Sequence, residues 1–244
     1  MEKFPHPYLS VNEIDNFTHN DIVYKTKVSN LLKVAQTMIF YYALKTVSVA
    51  SQIALEEAEA DYDLHELDFS TTEQQSNDYL NVNPKGRVPA LATKHGIITE
   101  TPAILVYIAQ TYPKAKLAPL NDHFQFAKMQ AFNNYLSSTV HVNHAHKIRG
   151  NRWVENEDKV SQAAMKAKVP KTMAESFTLI ENEMFSGPWV LGENYSVCDC
   201  YLFCISTWLA GDKVSIEDFP KIHDHHKRMR QRESVKQVTG IHGI

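Results

Sequence analysis

The sequence predicts a small α/β domain followed by an all-helical domain, and three observations support that prediction. Strand-like and helical segments alternate from Met38 to residue 110. Pro113 and Pro119 then mark a linker. Beyond this linker, nearly every apolar segment repeats with a helical period.

The length and composition fit this architecture and argue against some functions. The 244 residues, 43% of them hydrophobic, suffice for two domains that each have a core. A net charge of -3 gives no electrostatic argument for a nucleic-acid or membrane partner. The apolar runs are all shorter than the roughly 20 residues that span a bilayer. Because the first residues lack the apolar stretch of a signal peptide, we expect a cytoplasmic protein.

Three cysteines, Cys198, Cys200 and Cys204, lie close together on a predicted helix. An odd, clustered set is a poor disulfide framework and favours a reducing compartment. A zinc site would need a second pair of ligands elsewhere. We therefore expect these cysteines to be small buried residues, and we expect no metal.

The first domain opens with a buried strand that begins at Met38, in the run Met-Ile-Phe-Tyr-Tyr. A helix is predicted over 48–60 and a second strand around 62–67. Residues 73–81 are polar and predict a short helix or turn. The order continues with two short strands and a helix.

The last part of this domain is marked by prolines and a turn. Val88-Pro89 precedes a short strand ending near Thr93 and is a candidate for a cis peptide bond. Residues 94–96 predict a hairpin turn that leads to the next strand. Thr101 as N-cap and Pro102 as the first helical residue predict the start of a helix.

The second domain is predicted as helices alone, which share an apolar face that repeats every three to four residues. They are expected over 124–148, 160–184, 197–210 and 218–232. Ser196 and Asp199 form a variant of the capping box before the third of these helices. The predicted domain limits are 1–37 for an N-terminal extension, 38–112 for the α/β domain, 113–122 for the linker and 123–244 for the helical domain.

Three motifs carry a resemblance to a known family. They are Asn-Pro-Lys-Gly-Arg-Val-Pro-Ala-Leu at 83–91, Thr-Glu-Thr-Pro-Ala-Ile at 99–104 and Gly-Glu-Asn-Tyr-Ser-Val-Cys-Asp at 192–199. In order and spacing, residues 38–235 resemble the cytosolic glutathione transferases, and in particular their bacterial beta class. The resemblance implies a thioredoxin-like first domain, glutathione as co-substrate and a homodimer. Because Met38 lies where family chains commonly begin, residues 1–37 are either a true extension or the product of an upstream start.

The resemblance assigns a glutathione site to the first domain. The Val88 backbone, beside Pro89, would pair with the cysteinyl part of the tripeptide like the edge of a strand. Thr101, at a helix N-terminus, suits the γ-glutamyl carboxylate, and Glu100 suits the γ-glutamyl ammonium. Arg87 is implied as a further glutathione contact. Taken alone, Glu100 and Thr101 would more often be a capping pair and Arg87 a solvated loop charge, whereas the order of the motifs favours the glutathione site.

Three positions of the helical domain carry over as well. Asn134 matches an asparagine that reaches the glutathione of the partner subunit. His141 matches a histidine that faces the catalytic residue, and Trp208 matches a tryptophan lining the electrophile pocket. By sequence alone, a helical histidine or tryptophan is more often a packing residue. His141 and His144 also share a helical face, although a metal there would need further ligands.

The loop after the first strand lacks the family's usual reagent. Val47 stands where beta-class chains carry a cysteine, and Thr72 and Val142 stand where they carry lysines. A valine cannot perform thiol–disulfide exchange, which requires a protein thiolate. Conjugation uses the thiolate of glutathione itself, so a hydroxyl is enough to stabilise it. Ser48 is the favoured donor, with Thr46 as the alternative and a purely capping role for Ser48 as the third possibility.

The sequence therefore predicts a detoxifying glutathione transferase that acts on a small hydrophobic electrophile. Ser48 and His141 are its expected catalytic residues, and no nucleic acid, membrane or metal is expected as a partner. The alternative is a non-catalytic glutathione-binding or protein-interaction module of the same fold. The loss of the cysteine and both lysines favours this alternative, whereas the retained glutathione motifs favour the enzyme.

Overall fold

The structure is a computed structural model that describes residues 37–244. The predicted extension over 1–37, except for Thr37, thus lies outside the described residues. The α/β half contains four strands and three α-helices. They are β1 (Met38–Tyr42), α1 (Ser48–Glu57), β2 (Tyr62–Glu66), α2 (Asn77–Val82), β3 (Ala90–Thr93), β4 (Gly96–Thr99) and α3 (Thr101–Thr111).

The four strands form one mixed sheet in the order β2-β1-β3-β4. β1 runs parallel to β2 and antiparallel to β3, and β3 pairs antiparallel with β4. Phe40 of β1 lies opposite Leu64 on one side and Leu91 on the other. Phe40 and Leu91 are fully buried, as is Ile53 of α1, so the helices cover an apolar sheet face. This is the predicted thioredoxin-like domain.

Two local predictions for this half need correction. The helix over 48–60 ends at Glu57, and the start of α3 lies one residue earlier than predicted. Glu100, with φ of +73°, occupies the N-cap, so Thr101 is the first helical residue and not the cap. Pro102 is still within the first turn, where its missing N–H has no intrahelical partner to lose.

The second half is helical, as predicted. Its α-helices are α4 (His123–Tyr135), α5 (His141–Ala145), α6 (Lys159–Leu179), α7 (Val197–Ser206), α8 (Pro220–Arg230) and α9 (Glu233–His242). A π-helical turn, Leu136–Val140, joins α4 to α5, and another, Ile180–Met184, follows α6. The predicted helix over 124–148 is therefore interrupted, and α9 was not predicted. The domain limits at 112 and 123 stay a prediction.

Helix α7 is the centre of the helical half, because all ten of its residues are buried. A helix that is apolar all round is expected at such a position. The capping box predicted at Ser196 is present, with the Ser196 N–H donating to Asp199 Oδ2 at 2.7 Å. Cys198, Cys200 and Cys204 are free and fully buried in this helix, in agreement with their predicted packing role.

Helices α1 and α7 pack together and join the two halves. The Cys204 thiol lies 3.6 Å from the Thr46 carbonyl oxygen, at the loop that precedes α1. At the other end of α1, Arg232 donates two hydrogen bonds of 2.6 Å to the Glu57 carboxylate. Within residues 37–244, no helix is long and apolar enough to cross a membrane.

Candidate active site

A cavity of about 420 Å³ lies between the α/β half and the helical half. We call it the interdomain cleft. Its α/β wall comes from the β1–α1 loop, the loop before β3 and the start of α3. Its helical wall comes from the π-helical turn, α5, the segment after α5, and Trp208. The site residues predicted from the sequence fall on both walls, with two exceptions described below.

The loop before β3 forms the first part of the α/β wall. The Val88–Pro89 peptide is cis, as predicted. No group within residues 37–244 hydrogen-bonds the Val88 backbone. The loop itself is fixed, because the Arg87 carbonyl oxygen accepts hydrogen bonds of 2.6 Å from the Tyr79 hydroxyl and from Asn83 Nδ2. A rigid loop thus presents a free backbone edge to the cleft.

Gly86 allows this loop to pass close to its neighbour. Its φ is +58°, a conformation that residues with a side chain rarely adopt. A Cβ here would lie 2.4 Å from Gln75 Nε2 and 2.9 Å from the Gln74 carbonyl oxygen. Only glycine fits between them, which explains one residue of the motif at 83–91 in physical terms.

The start of α3 forms the second part of this wall. Thr101 is buried, lines the cleft and begins the helix, whose first N–H groups have no intrahelical acceptors. Glu100 precedes it, and its exposed carboxylate pairs with the ammonium group of Lys85. Lys85 also donates to Thr99 Oγ1 at 2.7 Å. Sequence reasoning missed Lys85, although it lies within the motif at 83–91.

In the β1–α1 loop, the structure distinguishes between the two hydroxyls that the sequence left as alternatives. Thr46 and Val47 line the cleft. Ser48 is fully buried and is not among the lining residues. The hydroxyl oxygens of Thr46 and Ser48 lie 2.9 Å apart, and Thr46 Oγ1 donates to the Ala43 carbonyl at 2.8 Å. Thr46 is therefore the hydroxyl at the cleft surface, and Ser48 lies behind it.

The backbone of this loop is held by the last helix. Lys45, with φ of +59°, donates its N–H to His242 Nδ1 at 3.1 Å. The other ring nitrogen of His242 lies 2.8 Å from Gln52 Oε1. Since the Lys45 amide requires an acceptor, the His242 ring is neutral with its proton on Nε2. Burial agrees with this, because it lowers the pKa of His242 to about 4.

His141 and Trp208 meet on the helical wall, as predicted, with ring centroids 5.0 Å apart. The π-helical turn before His141 changes the direction in which the following side chains point. Burial, helped by the positive charges of Arg152 and Arg87 and by His144, lowers the pKa of His141 to about 4. At neutral pH this imidazole is therefore uncharged.

His144 is a further ring on this wall, and its orientation is fixed from behind. It stacks on Trp208 with centroids 4.3 Å apart and planes 24° apart. Its Nδ1 lies 2.6 Å from Oδ2 of Asp212, a carboxylate with a fully buried side chain. Lys147 donates to the other Asp212 oxygen at 3.0 Å. Residues 37–244 contain no group of three or more His, Cys, Asp or Glu side chains that could hold a metal.

Asn134 is the second predicted site residue that does not line the cleft of its own chain. It is exposed near the end of α4, and its carbonyl oxygen accepts hydrogen bonds from the Ser137 and Ser138 hydroxyls at 3.1 and 2.8 Å. Its expected role toward a partner subunit stays a prediction.

Sequence reasoning also missed several lining residues of the helical wall. Tyr201 of α7 is almost fully buried, and burial raises the pKa of its hydroxyl. Arg149, Arg152 and Trp153 line the cleft from the segment after α5. This segment lies far along the chain from the motifs. Its two arginines, spaced by three residues, are the only local sequence feature that could have indicated a position at the cleft.

A cleft between a thioredoxin-like domain and an all-helical domain is typical of the glutathione transferase fold. The sequence matches agree with this fold. Residues 36–110 match the glutathione S-transferase N-terminal domain, and residues 100–233 match the glutathione S-transferase C-terminal domain. The chain therefore belongs to the glutathione S-transferase family, as its resemblance predicted. Members of this family use glutathione as their co-substrate.

Individual relatives agree with this assignment. Glutathione S-transferase GstA of Escherichia coli O157:H7 is 28% identical over 210 residues, which are 85% of this chain and 100% of the relative. A glutathione transferase homologue from Sulfitobacter, solved with bound glutathione, is 44% identical with a TM-score of 0.81, over 84% of this chain and 98% of that one. The beta-class enzyme of Sphingomonas chungbukensis is 27% identical with a TM-score of 0.72, over 84% and 98% of the two chains.

Proposed function

We propose that this protein is a glutathione transferase that joins the thiolate of glutathione to a small electrophile with an apolar body. The observation that supports this most is a single cleft in which Val88 and Thr101 face His141 and Trp208. A tripeptide on one wall and an electrophile on the other would meet beside the β1–α1 loop, which is the proximity that such a reaction needs. The buried free thiols agree with a cytoplasmic setting, in which such a transferase would act in detoxification.

The α/β wall would hold the tripeptide. The free N–H and C=O of Val88 would pair with its cysteinyl backbone. The N-terminus of α3 at Thr101 would bind the γ-glutamyl carboxylate through orphan N–H groups. Glu100 would bind the γ-glutamyl ammonium, sharing its carboxylate with Lys85. Arg87, one residue before Val88, would serve the glycyl carboxylate.

The β1–α1 loop would stabilise the thiolate. The thiol proton leaves to solvent, and the sulfur then needs a donor and a favourable local potential. The N-terminus of α1 supplies positive potential at this point. The Thr46 hydroxyl, turned from Ala43 toward the cleft, would donate to the sulfur. The Ser48 hydroxyl, 2.9 Å behind it, would then turn to donate to Thr46 Oγ1. Ser48 thus becomes a positioning residue in this proposal.

A second candidate function is a glutathione-binding or protein-interaction module without turnover. The observation that favours it is chemical: Val47 and Val142 both line the cleft where related chains carry a cysteine and a lysine. The two candidates share the binding site and differ only in catalysis.

Conjugation of 1-chloro-2,4-dinitrobenzene, together with calorimetric binding of glutathione, separates the two candidates. We expect turnover by the wild type, a fall of about tenfold or more in kcat/KM for Thr46→Val, and a smaller fall for Ser48→Ala. Glutathione affinity should change little in both variants. Binding without turnover in the wild type would contradict the enzyme, and an unchanged Thr46→Val rate would remove only the role of Thr46.

We also propose a homodimer in which Asn134 reaches the glutathione of the partner subunit. Sedimentation of the full chain tests this, since a monomer would leave Asn134 without that role.

A further inference from the structure

The helical wall of the interdomain cleft carries arginines that have no anionic partner. Arg149 and Arg152 line the cleft from the segment after α5, and Arg87 lines it from the opposite wall. Within residues 37–244, none of these guanidinium groups forms an ion pair or a side-chain hydrogen bond. Arg149 only stacks over the Phe69 ring, with 6.0 Å between its guanidinium carbon and the ring centroid.

Several other cations of the structure are paired, in contrast to the cleft arginines. Arg228 and Arg232 bind the carboxylates of Asp224 and Glu57. Lys147 and His144 share the buried Asp212, directly behind the cleft. The cleft arginines have no such neighbour, so their charge is available to a ligand.

These charges lie close enough to act on one another. Burial, with the positive charges of Arg87 and Arg149, lowers the pKa of Arg152 below its ordinary value. The charges of Arg152 and Arg87 also contribute to the lowered pKa of His141. A cleft lined by charges of one sign concentrates the field within it and attracts ligands of the opposite sign.

Glutathione alone does not account for all of this positive charge. On the α/β wall, its γ-glutamyl carboxylate has the α3 N-terminus and its ammonium has Glu100. Its glycyl carboxylate needs one cation, and Arg87 lies beside Val88 to supply it. Arg149 and Arg152 remain, on the wall that would face the second substrate. Trp208 and Trp153 also line the cleft and offer apolar ring surface.

We propose that the second substrate is an electrophile that carries a carboxylate, which Arg149 and Arg152 bind while its apolar body packs on Trp208. This inference rests on the proposed function and makes its substrate class more specific. A planar guanidinium binds a carboxylate through two parallel hydrogen bonds, so the pair also orients the ring of an aromatic electrophile.

For a chloroarene, the reaction balances without any further reagent. The sulfur of the glutathione thiolate forms a bond to the ring carbon, and the carbon–chlorine bond breaks. Chloride leaves with the bonding electron pair, and the proton of the thiol has gone to solvent. The carboxylate takes no part in the bond changes. It is only the group through which the arginines bind and orient the ring.

A matched pair of substrates tests this proposal, namely 4-chloro-3,5-dinitrobenzoate and its methyl ester, which differ in the negative charge. We expect the wild type to show a KM about tenfold lower for the benzoate. The variant with Arg149→Gln and Arg152→Gln should lose most of this preference, with a change of less than about threefold in the KM for glutathione. Arg230→Gln is the control, because this arginine lies on α8 outside the cleft lining.

Two outcomes would overturn the inference. One is equal KM values for the two substrates in the wild type. The other is a double variant that loses glutathione affinity while it keeps the preference for the benzoate, since the arginines would then hold the glycyl carboxylate.

Binding of the two presynthesised glutathione conjugates, measured by calorimetry, needs no turnover. An enzyme that turns over neither substrate contradicts the proposed function. In that case, tighter binding of the carboxylated conjugate by the wild type, lost in the double variant, still supports the anion site, and equal binding overturns it.

Discussion

Val47 lines the cleft at the N-terminal end of α1, where its side chain is 6% exposed. The family resemblance places it where related chains carry a cysteine. A thiol at this position would lie at a helix N-terminus, which lowers the pKa of a cysteine and favours the thiolate. The three native cysteines differ, because they are fully buried in α7 and burial raises the pKa of each, that of Cys204 to about 12.

Val47→Cys should therefore give this protein a reactive thiol. We expect the variant to form a mixed disulfide when it is incubated with oxidised glutathione, because its thiolate can attack that disulfide. The wild type should remain unmodified. Intact-protein mass spectrometry measures the addition of one glutathionyl group.

Val49→Cys is the matched control for this experiment, because Val49 lies two residues along the same helix, is 1% exposed and does not line the cleft. Equal modification of the two variants would show that the thiol at 47 has no special access to glutathione.

At the residue scale, the sequence predicted the α/β wall better than the helical wall. The cis bond at Val88–Pro89 and the placement of Glu100 and Thr101 depend on neighbours within a short motif. The choice between Thr46 and Ser48 depends on which hydroxyl faces the cleft, and that is set by packing against α7. Arg149 and Arg152 reach the cleft only because the chain turns back after α5, which no local pattern specifies.

At the scale of elements, the π-helical turn Leu136–Val140 has the clearest consequence for the site. One extra residue in a turn shifts the register of every side chain that follows. Ser137 and His141 line the cleft on either end of this turn. Periodicity predicted one continuous helix over 124–148, because apolar spacing changes too little across a single wide turn to be noticed.

Helix α1 and the N-cap residue of α9 are joined by an ion pair whose loss should weaken the whole fold. Glu57, the last residue of α1, accepts two hydrogen bonds of 2.6 Å from Arg232, and its side chain is 11% exposed. The Glu57 carboxylate raises the pKa of Arg232, and the guanidinium also stacks 3.9 Å from the Tyr195 ring centroid. We expect Glu57→Gln to lower the free energy of unfolding by about 1–3 kcal/mol in urea denaturation.

Glu233→Gln provides the comparison, because the Glu233 side chain is 87% exposed and pairs with Lys236 on the surface. Its effect should stay within about 0.5 kcal/mol. Unfolding of both variants at the same urea concentration would mean that the Glu57 pair contributes no more than a surface pair.

At the scale of the whole molecule, the β1–α1 loop is held by the opposite end of the chain. Helix α9 was absent from the sequence prediction, since its apolar residues, Val235, Val238 and Ile241, are few and follow α8 with almost no break. In the structure this helix brings His242 to the Lys45 amide and to Gln52. Stability of the fold and geometry of the cleft are therefore linked through one neutral imidazole.

This link makes stability depend on pH in a predictable direction. The pKa of His242 in the folded protein is about 4, whereas an unfolded histidine titrates near 6.5. Between these values the unfolded chain binds a proton that the folded protein does not, so the free energy of unfolding falls as the pH is lowered from about 6.5 to about 4. His141 and His226 act in the same direction, because the pKa of each is also lowered to about 4.

His242→Gln should reduce this dependence, because a glutamine amide can both donate and accept hydrogen bonds and does not titrate in this range. Urea unfolding between about pH 7 and pH 4 should show a slope smaller by up to about 1.4 kcal/mol per pH unit than that of the wild type. His95→Gln, on the exposed β3–β4 turn, is the control and should keep the slope of the wild type. A His242→Gln slope equal to that of the wild type would mean that protonation of His242 does not limit stability, and that other groups cause the acid sensitivity.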